Sequence, residues 1–209
     1  MNFITDPLEI EKRSFEIISE TLADRQLDPK NASVIKRVIH TTADFDYADN
    51  LIFSEGAVEA AQNAFKSGAQ VVTDTKMAKA GISKKALEQF GCGLHCFIDA
   101  SEVLESAKRR GVTRAWAAVE RAAESLDGPI IFAVGNAPTA LIRLHELITS
   151  GVVAPALVIA VPVGFVNVVE SKELILALRV PYIVAKGQKG GSNVAAAICN
   201  ALLYEIQQQ

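Results

Sequence analysis

The chain has 209 residues, half of them apolar and 6% aromatic, with a formal net charge of −3. That length predicts one domain over residues 1–209, with enough aliphatic side chain for a continuous core. No basic stretch is interleaved with aromatics, which argues against a nucleic-acid partner, and three cysteines argue against a disulfide framework and for a reducing, cytoplasmic setting.

The start "MNFITDPLEIEKR" lacks the charged-then-apolar layout of a signal peptide. "TDPLEIEKRSFEIISETLA" carries helix-start chemistry instead: Asp6 to cap, Pro7 in the first helical position and Glu9 three residues after the cap. "LDPKNASVIKRVIH" repeats the pattern with Asp28 and Pro29. Its apolar stripe of Val34, Ile35, Val38 and Ile39 ends just before His40. "SEGAVEAAQNAFKSG" is a third predicted helix, closed by Gly68.

From there the pattern alternates. Predicted strands are "AQVVTD", "GLHCFID", "PIIFAVG", "ALVIAVPVG" and "PYIVAKG". Each is followed by a helical pattern, and the last of these is "SNVAAAICNALLYEIQ". The longest apolar run, "VVAPALVIAVPVGFV", is 15 residues and broken by prolines, so it reads as a buried strand with its connections. No membrane span is expected. Alternation of this kind implies parallel strands with right-handed crossovers and helices on both faces. The expected fold is a three-layer α/β/α, flavodoxin-like, doubly wound parallel sheet of five strands.

Ligands of such sheets sit at the carboxyl ends of the strands. The loops there are "TDTKM", "IDASE", "VGNAPTAL", "PVGFVNVVES" and "KGQKGGSN". They are rich in glycine, small hydroxyls and amides. None carries a G-x-S-x-G elbow, a P-loop or G-x-G-x-x-G. In "KGQKGGSN", Gly190 and Gly191 let amides turn outward ahead of a helix start, with Lys186 and Lys189 adding charge. That is a cradle for a carboxylate or phosphate, or a turn that needs glycine for geometry alone. In "VGNAPTAL", Asn136 suits a helix cap, and free amides there would hold a substrate oxygen.

"CGLHC" brings together Cys92, His95 and Cys96, but the spacing fits no standard zinc pattern and no metal is expected. Asp44, Asp46 and Asp49 read as loop and capping residues, and His145 as a surface or packing residue. His40 closes a helix, an ordinary place for a histidine. It is also the group that can hold and release a proton near neutrality.

Several segments taken in order resemble the precorrin-8X methylmutases. They are "SFEII", "RVIHTTADFDYADNLIFS", "VVTDTKMAKAGI", "TRAWAAV", "VGNAPTAL", "PVGFVNVVESKE" and "PYIVAKGQKGGSNVAAAICNALL". The resemblance implies an isomerase of cobalamin biosynthesis. Such an enzyme moves a methyl group from carbon 11 to carbon 12 of ring C in precorrin-8X or its cobalt form, giving hydrogenobyrinic or cobyrinic acid. It implies no external cofactor, a corrin-ring tetrapyrrole as partner, and a homodimer with its pockets at the subunit interface. It places the proton donor and acceptor at His40 and a substrate contact at Ser14.

The substrate carries many carboxylates, so "VGNAPTAL" and "KGQKGGSN" are expected to be carboxylate cradles, with Arg13 and Arg114 as clamps. The expected substrate-binding set is Arg13, Ser14, Thr41, Thr73, Thr75, Arg114, Gly135, Asn136, Ala137, Gly164, Val166, Lys189, Gly190, Gly191 and Ser192. A non-catalytic corrinoid carrier and a flavodoxin-like nucleotide binder are the competing readings. The second lacks a phosphate motif and a ribose-binding acid.

Overall fold

A computed structural model describes residues 3–207 of the chain. Five of its strands are the expected ones: β2 (Gln70–Thr73), β3 (Gly93–His95), β4 (Ile130–Val134), β5 (Leu157–Ala160) and β6 (Tyr182–Ala185). All their mutual pairings are parallel. Counted in chain order, these five lie 2-1-3-4-5 across the sheet, the flavodoxin-like order. The topological switch point therefore falls between β2 and β4.

The sheet has six strands rather than five. β1 (Leu51–Phe53) pairs antiparallel with β6, Leu51 opposite Ala185 and Phe53 opposite Ile183. Three residues are too short for a periodicity to register, and "LIF" follows α3 (Tyr47–Asn50), a single turn. The strand is held from its partner: Ser54 N–H donates to the Tyr182 carbonyl and Ser54 Oγ accepts from Tyr182 N–H. β1 covers what would be an open edge of β6. It also runs against the other strands, so the chain entering it comes from their carboxyl end.

Ahead of α3 in that entering segment lies α2 (Ala32–Thr42), which packs on α1 (Pro7–Thr21) and on α11 (Ser192–Gln207). α1 starts as expected, with Asp6 accepting from Glu9 N–H at 2.9 Å and Pro7 in the first turn. α2 starts later than expected. Asp28 accepts from Lys30 N–H in a turn of its own, and the helix begins four residues further on behind Asn31.

The other helices are α4 (Ala57–Lys66), α5 (Lys76–Gly81), α6 (Lys84–Glu88), α7 (Ser101–Arg110), α8 (Arg114–Ser125), α9 (Pro138–Thr149) and α10 (Val168–Leu176). The helical pattern over "TKMAKAGISKKALEQFG" forms two helices, because Ser83 caps a new start by accepting from Ala86 N–H. Gly111, at φ 67°, breaks the helical pattern between α7 and α8.

Alternation along the strands builds two cores. Ile131, Ala133, Leu157, Ile159 and Ile183 face α2, α4 and α11; Phe132, Val134, Val158, Ala160 and Val184 face α8, α9 and α10. Among the described residues, no helix is long and apolar enough to cross a membrane.

Candidate functional site

At the switch point the structure holds a buried acid that composition did not single out. Asp74, directly after β2, is 6% exposed. Its carboxylate accepts from three successive amides of the β4–α9 loop: Gly135 at 2.9 Å, Asn136 at 2.8 Å and Ala137 at 2.7 Å. This is the carboxylate cradle anticipated in "VGNAPTAL", but the chain's own side chain fills it. Burial pushes the Asp74 carboxyl up, and the three amide bonds pull it back. Gly135, Asn136 and Ala137 thus stand as wall rather than as open amides.

The neighbouring hydroxyls are also turned inward. Thr73 Oγ1 lies 3.0 Å from the Thr75 carbonyl and 3.2 Å from that of His95. Thr75 caps α5 through Ala78 N–H, and its Oγ1 lies 2.7 Å from Ser192 Oγ at the start of α11. Gly135 lies so close to that point that a Cβ would stand 2.7 Å from Ser192 Cα. The loops after β2, β4 and β6 therefore converge on one edge.

The loop after β6 is anchored by backbone. Gly191 N–H donates to the Val161 carbonyl at 2.8 Å, and a Cβ on Gly190 would collide with that same carbonyl. Gly164, after β5, donates its N–H to the Gln188 carbonyl, and Val166 beside it is exposed. A second buried ionisable group lies underneath. Lys172, on α10, is 1% exposed, and its Nζ donates to the Gly187 and Lys189 carbonyls at 2.7 and 2.8 Å.

Burial lowers the Lys172 pKa to about 8 from an ordinary 10.5. Between those values the unfolded chain binds the proton and the folded chain does not. Stability from this group therefore rises as pH climbs from about 8 to 10.5, by roughly 3 kcal/mol in total. Urea midpoints of the wild type and Lys172→Met at pH 7.5 and 10.5 should diverge in that sense; parallel pH profiles would contradict it.

His40 stands on the last turn of α2, exposed. Its ring stacks on Phe15 of α1, centroids 5.1 Å apart and planes 14° apart. Among the described residues neither ring nitrogen makes a hydrogen bond, so both are open to a ligand. Ser14, next to Phe15, spends its hydroxyl on the Ile10 carbonyl, and Thr41 spends its own on the Arg37 carbonyl. Arg37 in turn lies 4.7 Å over the Phe15 ring and pairs with Glu11. Phe15 and Arg37 also line a groove of about 870 Å³ with Lys36, Tyr204 and Glu205, between α1, the first half of α2 and the last turns of α11.

After α2, Ala43 takes a left-handed conformation at φ 53°, which costs about 1 kcal/mol in a non-glycine residue. The turn delivers Asp44 and Asp46 to Lys189 Nζ, at 2.7 and 2.6 Å. The pairing holds the Asp44 carboxyl below the usual range. It joins the His40 segment to the glycine loop, and it occupies Lys189.

The two arginines expected as clamps differ. Arg13 is spent on its own helix, with Glu16 and Glu20 at 3.1 and 3.2 Å. Arg114 opens α8 beside Thr113, whose hydroxyl lies 2.7 Å from that of Thr139 in the first turn of α9. Its exposed guanidinium makes no hydrogen bond or ion pair among the described residues. Arg114→Ala is therefore expected to weaken product binding about tenfold at low salt, the scale of one charge-assisted hydrogen bond, and Arg13→Ala far less. Equal losses in a titration of the two variants would contradict that ranking.

Cys92 and His95 serve packing, and Cys96 is a half-buried free thiol. His95 Nε2 lies 2.7 Å from Gln70 Oε1, its ring stacks on Phe97, and Cys92 Sγ donates to the Phe65 carbonyl. No group of three or more potential metal ligands converges among the described residues.

Comparison with known proteins identifies the family. The family model described as precorrin-8X methylmutase matches residues 9–205. A cobalt-precorrin-8 methylmutase of Salmonella typhimurium is 45% identical over the whole of both chains. A precorrin-8X methylmutase of Pseudomonas aeruginosa is 37% identical over 98% of this chain and 99% of its own. The crystal structure of the precorrin-8X methylmutase of Thermus thermophilus superposes with a TM-score of 0.88 at 40% identity, covering 96% of each chain. On sequence and fold alike, the chain belongs to the precorrin-8X methylmutase family.

Proposed function

We propose that this chain, as a single catalytic domain, moves the methyl group on carbon 11 of precorrin-8X, or of its cobalt form, to carbon 12. The product is hydrogenobyrinic or cobyrinic acid. Of the relatives compared above, the one named for the cobalt form is the more identical, which favours the cobalt-bearing ring as substrate. The observation that carries the reading is His40, exposed at the strand-end edge with both ring nitrogens uncommitted, in a chain that matches the family over almost its full length.

Methyl migration between neighbouring carbons of a conjugated ring proceeds as a sigmatropic shift. It needs no nucleophile and no change of oxidation state. His40 protonates or hydrogen-bonds a ring nitrogen, shifting electron density so that the migrating bond weakens. General acid catalysis of this kind supplies roughly 10²–10⁴-fold, and holding the ring in the migrating geometry supplies the remainder. Arg114 binds one acid side chain of the ring. Exposed Met77, in the first turn of α5, and exposed Phe165 and Val166, on the loop after β5, offer apolar contact to the macrocycle.

Those apolar residues, with Leu8, Ile10 and Ile17 exposed on α1, also favour a homodimer whose second subunit covers the edge. The working compartment is the cytoplasm. The test is turnover: purified protein and the isomer precursor, with the migrating methyl carbon labelled, followed by visible absorption and carbon NMR. Appearance of the carbon-12 methyl signal supports the enzyme. Tight binding with an unchanged methyl signal would make it a carrier.

A further inference from the structure

We propose that Lys172 is a positioning residue for substrate binding: it fixes the glycine loop so that the Gln188 and Gly190 amides receive one carboxylate of the substrate. The inference deepens the reading above and rests on it. Burying an ammonium costs far more than burying a methionine of similar length, so what Lys172 holds deserves an explanation. It holds two carbonyl oxygens, those of Gly187 and Lys189, and its Nζ makes no ion pair among the described residues.

Planarity carries the consequence to the other side of the loop. In a trans peptide unit the C=O and N–H point in opposite directions. The chain has no cis peptide among its described residues. With the Gly187 and Lys189 carbonyls drawn onto Lys172, the N–H groups of Gln188 and Gly190 face away from it. Neither N–H has a hydrogen-bond partner among the described residues. The intervening Gln188 carbonyl is taken by Gly164 N–H at 3.2 Å, which ties the loop to the one after β5. Two alternate amides are thus left unpaired, at the spacing a two-oxygen acceptor meets. Gln188 is exposed, so a ligand reaches it.

The test has two parts. In ¹⁵N-labelled wild type, the Gln188 and Gly190 amides are expected to shift on addition of hydrogenobyrinic acid. In Lys172→Met, KM is expected to rise about tenfold with kcat within about threefold, since the acid His40 is untouched. Lys172→Gln, which keeps N–H donors, should fall between, and it carries the same test if Lys172→Met does not fold. A purely structural role would lower the active fraction and so kcat, leaving KM alone. Unmoved amides in the wild type, or a folded variant with wild-type KM, would overturn the proposal. Failure of the functional reading is distinct, because the wild type itself would then bind without turnover.

Discussion

Asp74→Ala is expected to cost about 3 kcal/mol of folding stability, read as a fall in the urea midpoint with an unchanged slope. The carboxylate serves three amides at once. Its removal leaves Gly135, Asn136 and Ala137 N–H without an acceptor, and an unmet buried donor costs roughly 1–3 kcal/mol. Asn136 is exposed, so water repairs part of the loss, which is why the figure stays at the low end of the sum. Asp74→Asn keeps one acceptor oxygen and turns an NH₂ group toward an amide donor, so it should fall between the two. A midpoint within error of wild type for Asp74→Ala would mean the loop holds its shape unaided.

His40→Ala is expected to lower kcat by roughly 10²–10⁴-fold while product binding stays within a few-fold. The imidazole packs by one stacked face and makes no hydrogen bond within the described chain, so its removal leaves no buried group unpaired. The fold should therefore melt as wild type does. The effect belongs to chemistry rather than to assembly, and kcat and kcat/KM should fall together. Loss of affinity with unchanged kcat would make His40 a contact and not the acid.

Much of the fold was legible because its causes are local and periodic. "PIIFAVG" and "ALVIAVPVG" are buried on both faces and read as parallel strands from composition alone, and Gly111 breaks a helix wherever it needs a positive φ. What was not legible depends on partners distant in the chain. β1 has three residues and exists through its ladder with β6, more than a hundred residues away. The helix over "TKMAKAGISKKALEQFG" divides at Ser83, whose N–H also donates to Asn200 of α11.

The site divides in the same way. His40 and the strand-end loops could be named from pattern and family resemblance, because loop position follows from strand order. The charges beneath them could not. Lys172 sits in "ESKE", which reads as a solvated helix face, and only the fold of the following loop brings two carbonyls over it. Asp74 lies between the two threonines that drew notice, and a lone acid directly after an apolar strand was the one signal for it. Arg13, Arg114 and Lys189 look alike as cations in the sequence. Their partners separate them, since Glu16 and Glu20 hold Arg13, and Asp44 and Asp46 hold Lys189.

The most direct measurement is the ¹⁵N spectrum of the three histidines, recorded with and without bound product. His95 is committed to Gln70, and His145 lies in α9. If His40 touches the ring, its nitrogen resonances shift on binding while those of His95 and His145 stay in place, and the shifts vanish in His40→Ala. Saturation with product that leaves the His40 resonances unmoved would remove it from the site and contradict the proposed mechanism.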